Sequence, residues 1–249
     1  MLPCFECESC REEQYARCSN YNYFGSRCDG GLSECIAVPE WNIVTFSDQL
    51  DYKTAALCEP AAVALHSVEK GEVSENDSTV IIGSGTIAIL TAFWCRQKGA
   101  DAVVVCRNER KSSFIESLGL KAILEKNAEN LHANKVFECV GTPEAINMAV
   151  NSAQPGGSIV LVGNPSGDIA FSKQVYWKIL RRELNVKGTW NSEYSNVRNN
   201  WKDVIQTMET HQIPFEKLIT DIYDMKNIHT ALDNMRSTDT FSIKTMIDI

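Results

Sequence analysis

No stretch of this chain stays apolar for the roughly 18 to 20 residues that a membrane-spanning helix needs, and no membrane partner is expected. Only Met1-Leu2-Pro3 stand ahead of the first cysteine, too few for an apolar targeting core. Basic side chains are the minority, 24 Lys and Arg against 32 Asp and Glu, for a net charge of −8. That balance argues against a nucleic-acid partner. Internal repeats and low-complexity stretches are absent as well. With 44% hydrophobic and 22% charged residues, wholesale disorder is excluded, and 249 residues make one large domain or two modest ones.

Cysteine, by contrast, is plentiful, and its spacing is informative. Cys4, Cys7, Cys10 and Cys18 lie in the run CFECESCREEQYARC. Thiolates so spaced can enclose one tetrahedral Zn²⁺ and leave no open coordination position, as structural zinc sites do. A pair of disulfides is the alternative, but it needs an oxidising compartment for which the chain shows no signal. Cys28, Cys35, Cys58, Cys95, Cys106 and Cys139 are scattered, mostly inside apolar segments. Free thiols of that kind fit a reducing cytosol, so a cytoplasmic protein is expected.

The first 60 residues read as an irregular zinc loop, a Gly-rich turn at Asp29-Gly30-Gly31 and a strand-like piece over 35–38. A helix is expected over 61–70, opened by Pro60 and closed by Gly71. From residue 79 the texture changes. Apolar strands over 79–82, 102–106, 136–139, 158–162 and 184–186 alternate with helices over 86–98, 109–118, 143–153 and 172–181. Strands this apolar imply a parallel sheet covered on both faces, an α/β doubly wound fold. Helices near 201–208 and 226–235 and an alternating strand over 241–249 close the chain.

The expected strand over 79–82 runs into Gly83-Ser84-Gly85-Thr86-Ile87-Ala88, which opens a helix. This is the G-x-G-x-x-A variant of the dinucleotide fingerprint. Gly83 makes the tight turn, Gly85 admits the pyrophosphate to the backbone, and Ala88 lets helix and strand pack closely. The first amides of the helix, at Thr86 and Ile87, then face the phosphates. At the tip of the second strand an NAD site wants a carboxylate for the ribose hydroxyls, but Arg107 stands there. Arg107 can donate to a 2′-phosphate, which leans toward NADP, or stack on adenine in an NAD site.

A structural zinc loop followed by such a domain resembles the zinc-dependent medium-chain alcohol dehydrogenases. Within them the chain is similar to galactitol-1-phosphate 5-dehydrogenases and sorbitol dehydrogenases, through LPCFECESC, NYNYFGSRCDGG, EPAAVALHSV, FECVGTPE and KILRRELNVKGTWNS. Cys28 and Cys35 depart from those relatives, which carry an arginine and an aromatic residue there. The resemblance implies a Rossmann domain over 67–190 and a partial, GroES-like catalytic domain over 1–66 to which 191–249 returns. It also implies a cofactor edge at Val140, Gly163 and Thr189, a small-molecule polyol or polyol-phosphate substrate, and a homo-oligomer for the complete protein.

Family members place a further lobe, with a Cys and a Gly-His-Glu segment for a catalytic zinc, ahead of the zinc loop. This chain contains neither segment, and none of His66, His132, His211 and His229 replaces them. Glu59 is the counterpart that remains, as catalytic residue and metal ligand, though it also reads as a first-turn helix carboxylate. In the complete family Zn²⁺ lowers the pKa of a bound secondary alcohol, which then passes hydride to NAD(P). The expectation is therefore a polyol or polyol-phosphate dehydrogenase polypeptide with an incomplete catalytic zinc site and little activity of its own. A sorbitol- or threonine-dehydrogenase-like enzyme and a non-catalytic zinc- and nucleotide-binding remnant are the alternatives. Lys178, Arg181, Arg182 and Arg27 could receive a substrate phosphate, or the first three could simply close a helix.

Overall fold

Two single-turn helices, α1 (Glu8–Arg11) and α2 (Tyr52–Ala55), precede α3 (Cys58–Lys70) in the computed structural model, which describes residues 1–165, 167–237 and 239–249. The chain then alternates through β1 (Ser78–Ile82), α4 (Thr86–Gln97), β2 (Asp101–Cys106), α5 (Glu109–Ser117) and β3 (Lys121–Leu124). It continues with β4 (Ala133–Glu138), α6 (Pro143–Ser152), β5 (Ala153–Leu161), α7 (Lys173–Arg181) and β6 (Asn185–Gly188). The last elements are α8 (Asn200–Glu209), β7 (Ile219–Asp224), α9 (Ile228–Arg236) and β8 (Lys244–Asp248). Two compact units result: Met1–Ala62 with Trp190–Ile249, and Val63–Thr189.

The Val63–Thr189 unit is a six-stranded sheet in the order β3-β2-β1-β4-β5-β6, every pairing parallel. This is the doubly wound α/β fold expected from the alternation of apolar strands with helices. β1 and β4 sit at its centre, and Val80, Ile81, Ile82, Val136 and Phe137 are almost wholly buried. Val80, Ile82, Val105, Val136, Ala149 and Ile159 form one core cluster with their neighbours. Small side chains of α6 and β-branched ones of the strands interdigitate there. Local chemistry sets the helix starts. Asn108, Thr142 and Ser172 each accept a hydrogen bond from the first turn of α5, α6 and α7, caps worth about 1 kcal/mol apiece.

The register aligns the strand ends. Ile82 faces Val105 and Glu138, Cys106 faces Leu124, and Leu161 faces Gly188. The carboxyl ends of the strands therefore form one edge, and the order reverses between β1 and β4. Doubly wound sheets bind ligands at that reversal.

In the other unit β7 and β8 pair in parallel, and Val204, Met208, Phe215 and Leu218 are buried. Residues 35–38 form no strand: Ile36 and Val38 are exposed and the segment joins no ladder. An apolar run without a partner for its backbone groups has no reason to extend into a sheet. α3 begins at Cys58, ahead of the expected start, because Pro60 fits a first turn whose N–H groups have no intrahelical partner. Among the described residues no helix is long and apolar enough to cross a membrane.

Candidate functional site

Cys4, Cys7, Cys10 and Cys18 converge, their sulfurs all within 4.8 Å of one another. Sγ separations are 3.5 Å for Cys4–Cys18, 3.9 Å for Cys7–Cys18 and 4.0 Å for Cys4–Cys10. A tetrahedron with Zn–S bonds of about 2.3 Å has edges of about 3.8 Å, so the set fits the metal. All four are free thiols, not disulfides. The backbone assists: Cys4 N–H donates to Cys18 Sγ at 3.3 Å and Cys7 N–H to Cys4 Sγ at 3.4 Å. Backbone hydrogen bonds from Ser19 and Cys10 pull the Cys7 thiol down to about 6, whereas burial pushes Cys10 up to about 12. Phe5 and Glu13 hold left-handed backbone, φ 59° and 57°, where the loop curls around the sulfurs. Among the described residues this is the one group of three or more side chains able to hold a metal.

The β1–α4 turn has the geometry of an anion cradle. Gly83 adopts φ +111°, and a Cβ there would stand 2.9 Å from Val140 Cγ2. Gly85 is the N-cap of α4, with nothing within 4 Å of where a Cβ would stand. The first-turn N–H groups at Thr86, Ile87 and Ala88 lack an i−4 carbonyl within the helix, and Ala88 is buried. Gly83 N–H donates to Val105 O at 3.1 Å, which ties this turn to the end of β2. Arg107 follows directly and is exposed, with Arg110 and Lys111 beside it. Burial, then the charges of Arg107 and Arg110, hold the Lys111 ammonium below its ordinary range. Positive charge thus gathers at this edge, which suits an anion.

Across the strand-order reversal lies a residue to which sequence reasoning gave no role. Glu138 ends β4 and is wholly buried. Its Oε1 accepts from Val140 N–H at 2.7 Å and Gly141 N–H at 2.8 Å. Its backbone carbonyl accepts from Val162 N–H and Gly163 N–H at 2.8 and 2.9 Å. The ends of β4 and β5 thus meet closely, and a Cβ on Gly163 would stand 2.2 Å from Gly141 N. Gly163 is accordingly a point of backbone contact, whatever else it borders. Val140 is exposed at the same edge, and Thr189, just past β6, donates its N–H to Leu161 O and leaves a buried Oγ1 unpartnered. The signal that could have exposed Glu138 was a lone carboxylate at the end of an otherwise apolar strand.

In the Met1–Ala62 and Trp190–Ile249 unit a cavity of about 470 Å³ is walled by Tyr15, Tyr23, Trp41, Glu59, Tyr194 and Trp201. Glu59 is exposed in the first turn of α3 and accepts from the Tyr23 hydroxyl at 3.3 Å. Burial and the Glu59 charge hold that phenol up at about 12, so it stays a donor. Glu59 belongs to no group of three metal-binding side chains among the described residues. Of the four cations considered for a substrate phosphate, Lys178, Arg182 and Arg27 are engaged elsewhere. Lys178 donates to Asn151 Oδ1, and Arg182 donates to the carbonyls of Val150, Asn151 and Ala153 at the end of α6. Arg27 stacks on Tyr21 at 4.2 Å and donates to its carbonyl.

Residues 85–210 match a family described as zinc-binding dehydrogenase. The chain is 29% identical over 235 residues to galactitol 1-phosphate 5-dehydrogenase of Escherichia coli K12, covering 88% of this chain and 67% of that protein. It is 27% identical over 234 residues to L-galactonate-5-dehydrogenase of the same organism, covering 87% and 68%. The crystal structure of galactitol-1-phosphate dehydrogenase from E. coli superposes with a TM-score of 0.88 at 26% identity, over 97% of this chain and 73% of that one.

Proposed function

For a chain that belongs to the zinc-binding dehydrogenase family, we propose a part in hydride transfer between the secondary alcohol of a polyol or polyol phosphate and NAD(P). The observation that carries the reading is the β1–α4 turn. It joins an open glycine N-cap, a glycine forced by Val140 and the Arg107 cluster at one sheet edge. On this reading the Val63–Thr189 unit is the dinucleotide domain and the other unit the GroES-like catalytic part. The names of its relatives support a polyol, and galactitol 1-phosphate is the substrate to test first.

The cofactor, when bound, supplies the hydride acceptor or donor. The chain's own residues hold it. Gly83 and Gly85 let the pyrophosphate reach the backbone, the first-turn N–H groups of α4 meet it, and the helix dipole favours its charge. Arg107 donates to the adenosine ribose or its 2′-phosphate. Val140, Gly163 and Thr189 border the edge where the nicotinamide end would lie. In the other unit Cys4, Cys7, Cys10 and Cys18 hold one zinc and fix the loop that carries Tyr15. Glu59 is the carboxylate assigned to the alcohol side; alone it makes no metal site, and no step is routed through one.

That isolation of Glu59 favours a second reading, a zinc- and nucleotide-binding chain without turnover. Titrating NADPH and NADH, then assaying galactitol 1-phosphate and sorbitol oxidation, separates the two. Saturable cofactor binding with turnover at or below detection is expected of the chain alone. Robust turnover would remove the second reading, and no cofactor binding would remove both.

A further inference from the structure

We propose that Glu13 is a positioning residue that ties the zinc loop to the 191–199 segment. Zinc held by Cys4, Cys7, Cys10 and Cys18 thereby sets one wall of the cavity beside Glu59. Glu13 lies between the third and fourth cysteines and keeps left-handed backbone, φ 57°. Its own N–H donates to Cys10 O at 3.1 Å, which anchors it to the metal-binding turn. Its carboxylate reaches out of the loop. Oε2 accepts from Asn196 N–H at 2.9 Å and Oε1 from the Asn196 side-chain amide, a two-point contact across 183 residues of sequence.

Aromatic rings make a second link between the same two segments. Tyr15, three residues before Cys18, meets Tyr194 at 6.5 Å between centroids. Both rings meet Trp41, at 6.0 and 5.3 Å, and all three line the cavity. Tyr194 and Asn196 share one narrow turn, in which Tyr194 bridges to Asn199 and Ser195 N–H donates to Arg198 O at 2.7 Å. Displacing Asn196 therefore displaces Tyr194.

The loop has little else to hold it. From Cys4 to Cys18 the buried residues are Cys10 and Cys18 themselves. A segment whose core is its own sulfurs folds with its metal. That fold also keeps Glu13 in left-handed backbone, so without zinc the carboxylate has no fixed place from which to meet Asn196. Zinc binding and the order of the 191–199 segment are thus coupled, and by linkage each stabilises the other.

That this wall faces the alcohol rests on the reading of Glu59 above; the coupling itself is measured without cofactor or turnover, so either can fail alone. Hydrogen exchange is compared in the zinc-loaded chain, the chain stripped by chelator under reducing conditions, and zinc-loaded Glu13→Ala. Co²⁺ substitution reports the four-sulfur site through its sulfur-to-metal absorption. Removing zinc should speed exchange over 191–199 about three- to tenfold, the size of an exposed, charge-assisted contact, and leave β1 to β6 unchanged. Glu13→Ala should speed the same segment by a similar factor while keeping one zinc and the wild-type Co²⁺ spectrum. Glu13→Gln, which keeps one acceptor oxygen, should fall between. Exchange over 191–199 unmoved by zinc removal or by Glu13→Ala would overturn the proposal. So would a rise spread evenly over α8, β7 and β8, or zinc lost outright in Glu13→Ala.

Discussion

Replacing Glu138 with alanine should cost more stability than any single exposed substitution in the Val63–Thr189 unit. The side chain is fully buried, and its Oε1 takes two backbone N–H groups at 2.7 and 2.8 Å. Alanine leaves both donors without an acceptor. Gly141 is buried, so its N–H cannot turn to water, and leaving that donor unsatisfied costs about 1–3 kcal/mol. Val140 is exposed and recovers part of its bond from solvent, for a further loss of about 0.5–1 kcal/mol. Relief from holding a buried carboxylate offsets some of this, and the vacated volume adds to it, so about 3 kcal/mol is the expected total. That is a large share of the roughly 5–15 kcal/mol that holds a domain together. Glutamine keeps an acceptor oxygen in place for both N–H groups and should cost less, about 1 kcal/mol. Urea unfolding followed by the emission of buried Trp94 measures both variants. A loss under about 1 kcal/mol for alanine, or glutamine as damaging as alanine, would refute the assignment of Glu138 as the clamp of this edge.

Cys10→Ser should lower bound zinc from one per chain to near none in elemental analysis and leave the unfolding midpoint of the sheet unit unchanged; full zinc retention would contradict the four-sulfur site. Arg107→Asp should shift cofactor preference from NADPH toward NADH, and the wild-type preference should fade as salt rises, because an exposed charge pair is screened. An NADH preference present in both proteins would defeat the charge argument. Gly163→Ala should destabilise the sheet unit by about 2 kcal/mol or more, because its Cβ would press on backbone atoms that cannot rotate away. Wild-type stability in that variant would mean that the β4 and β5 ends part easily.

What could be read from residues alone follows the range over which each signal acts. Apolar strands alternating with helices announced the parallel sheet, because burial on both faces leaves no polar alternation in the strands. β3 escaped notice, being four residues long with a charged first position, and β7 escaped because ITDIYD alternates too loosely to stand out. The stretch 35–38 shows the opposite failure: its side chains suit a strand, but only a partner's backbone makes one. Lys178 and Arg182 show why charge alone misleads. Their neighbours on α6 are some thirty residues away in sequence, so nothing local revealed that they close that helix.

The sheet's carboxyl edge illustrates the same limit at the level of single atoms. Its shape depends on Gly83, Gly141 and Gly163, each defined by what its missing side chain would strike, and on a carboxylate whose Oε1 is met by two backbone N–H groups. None of these partners has a side-chain signature. Gly83 and Gly85 were legible because the dinucleotide fingerprint has a fixed interval; Gly141 and Gly163 lie 22 residues apart, an interval set by α6 and β5 between them. Ligand chemistry writes itself into short spacings, whereas the packing that supports it is distributed over whole elements. It follows that substitutions at Glu138 and Gly163 should weaken cofactor binding through the position of Val140 and Gly141, without removing any group that touches the phosphates. An NADPH affinity that falls in Glu138→Gln and Gly163→Ala in proportion to lost stability, with the NADPH-to-NADH ratio unchanged, is the expected pattern. A changed ratio would mean that one of these residues acts at the adenosine end, beside Arg107.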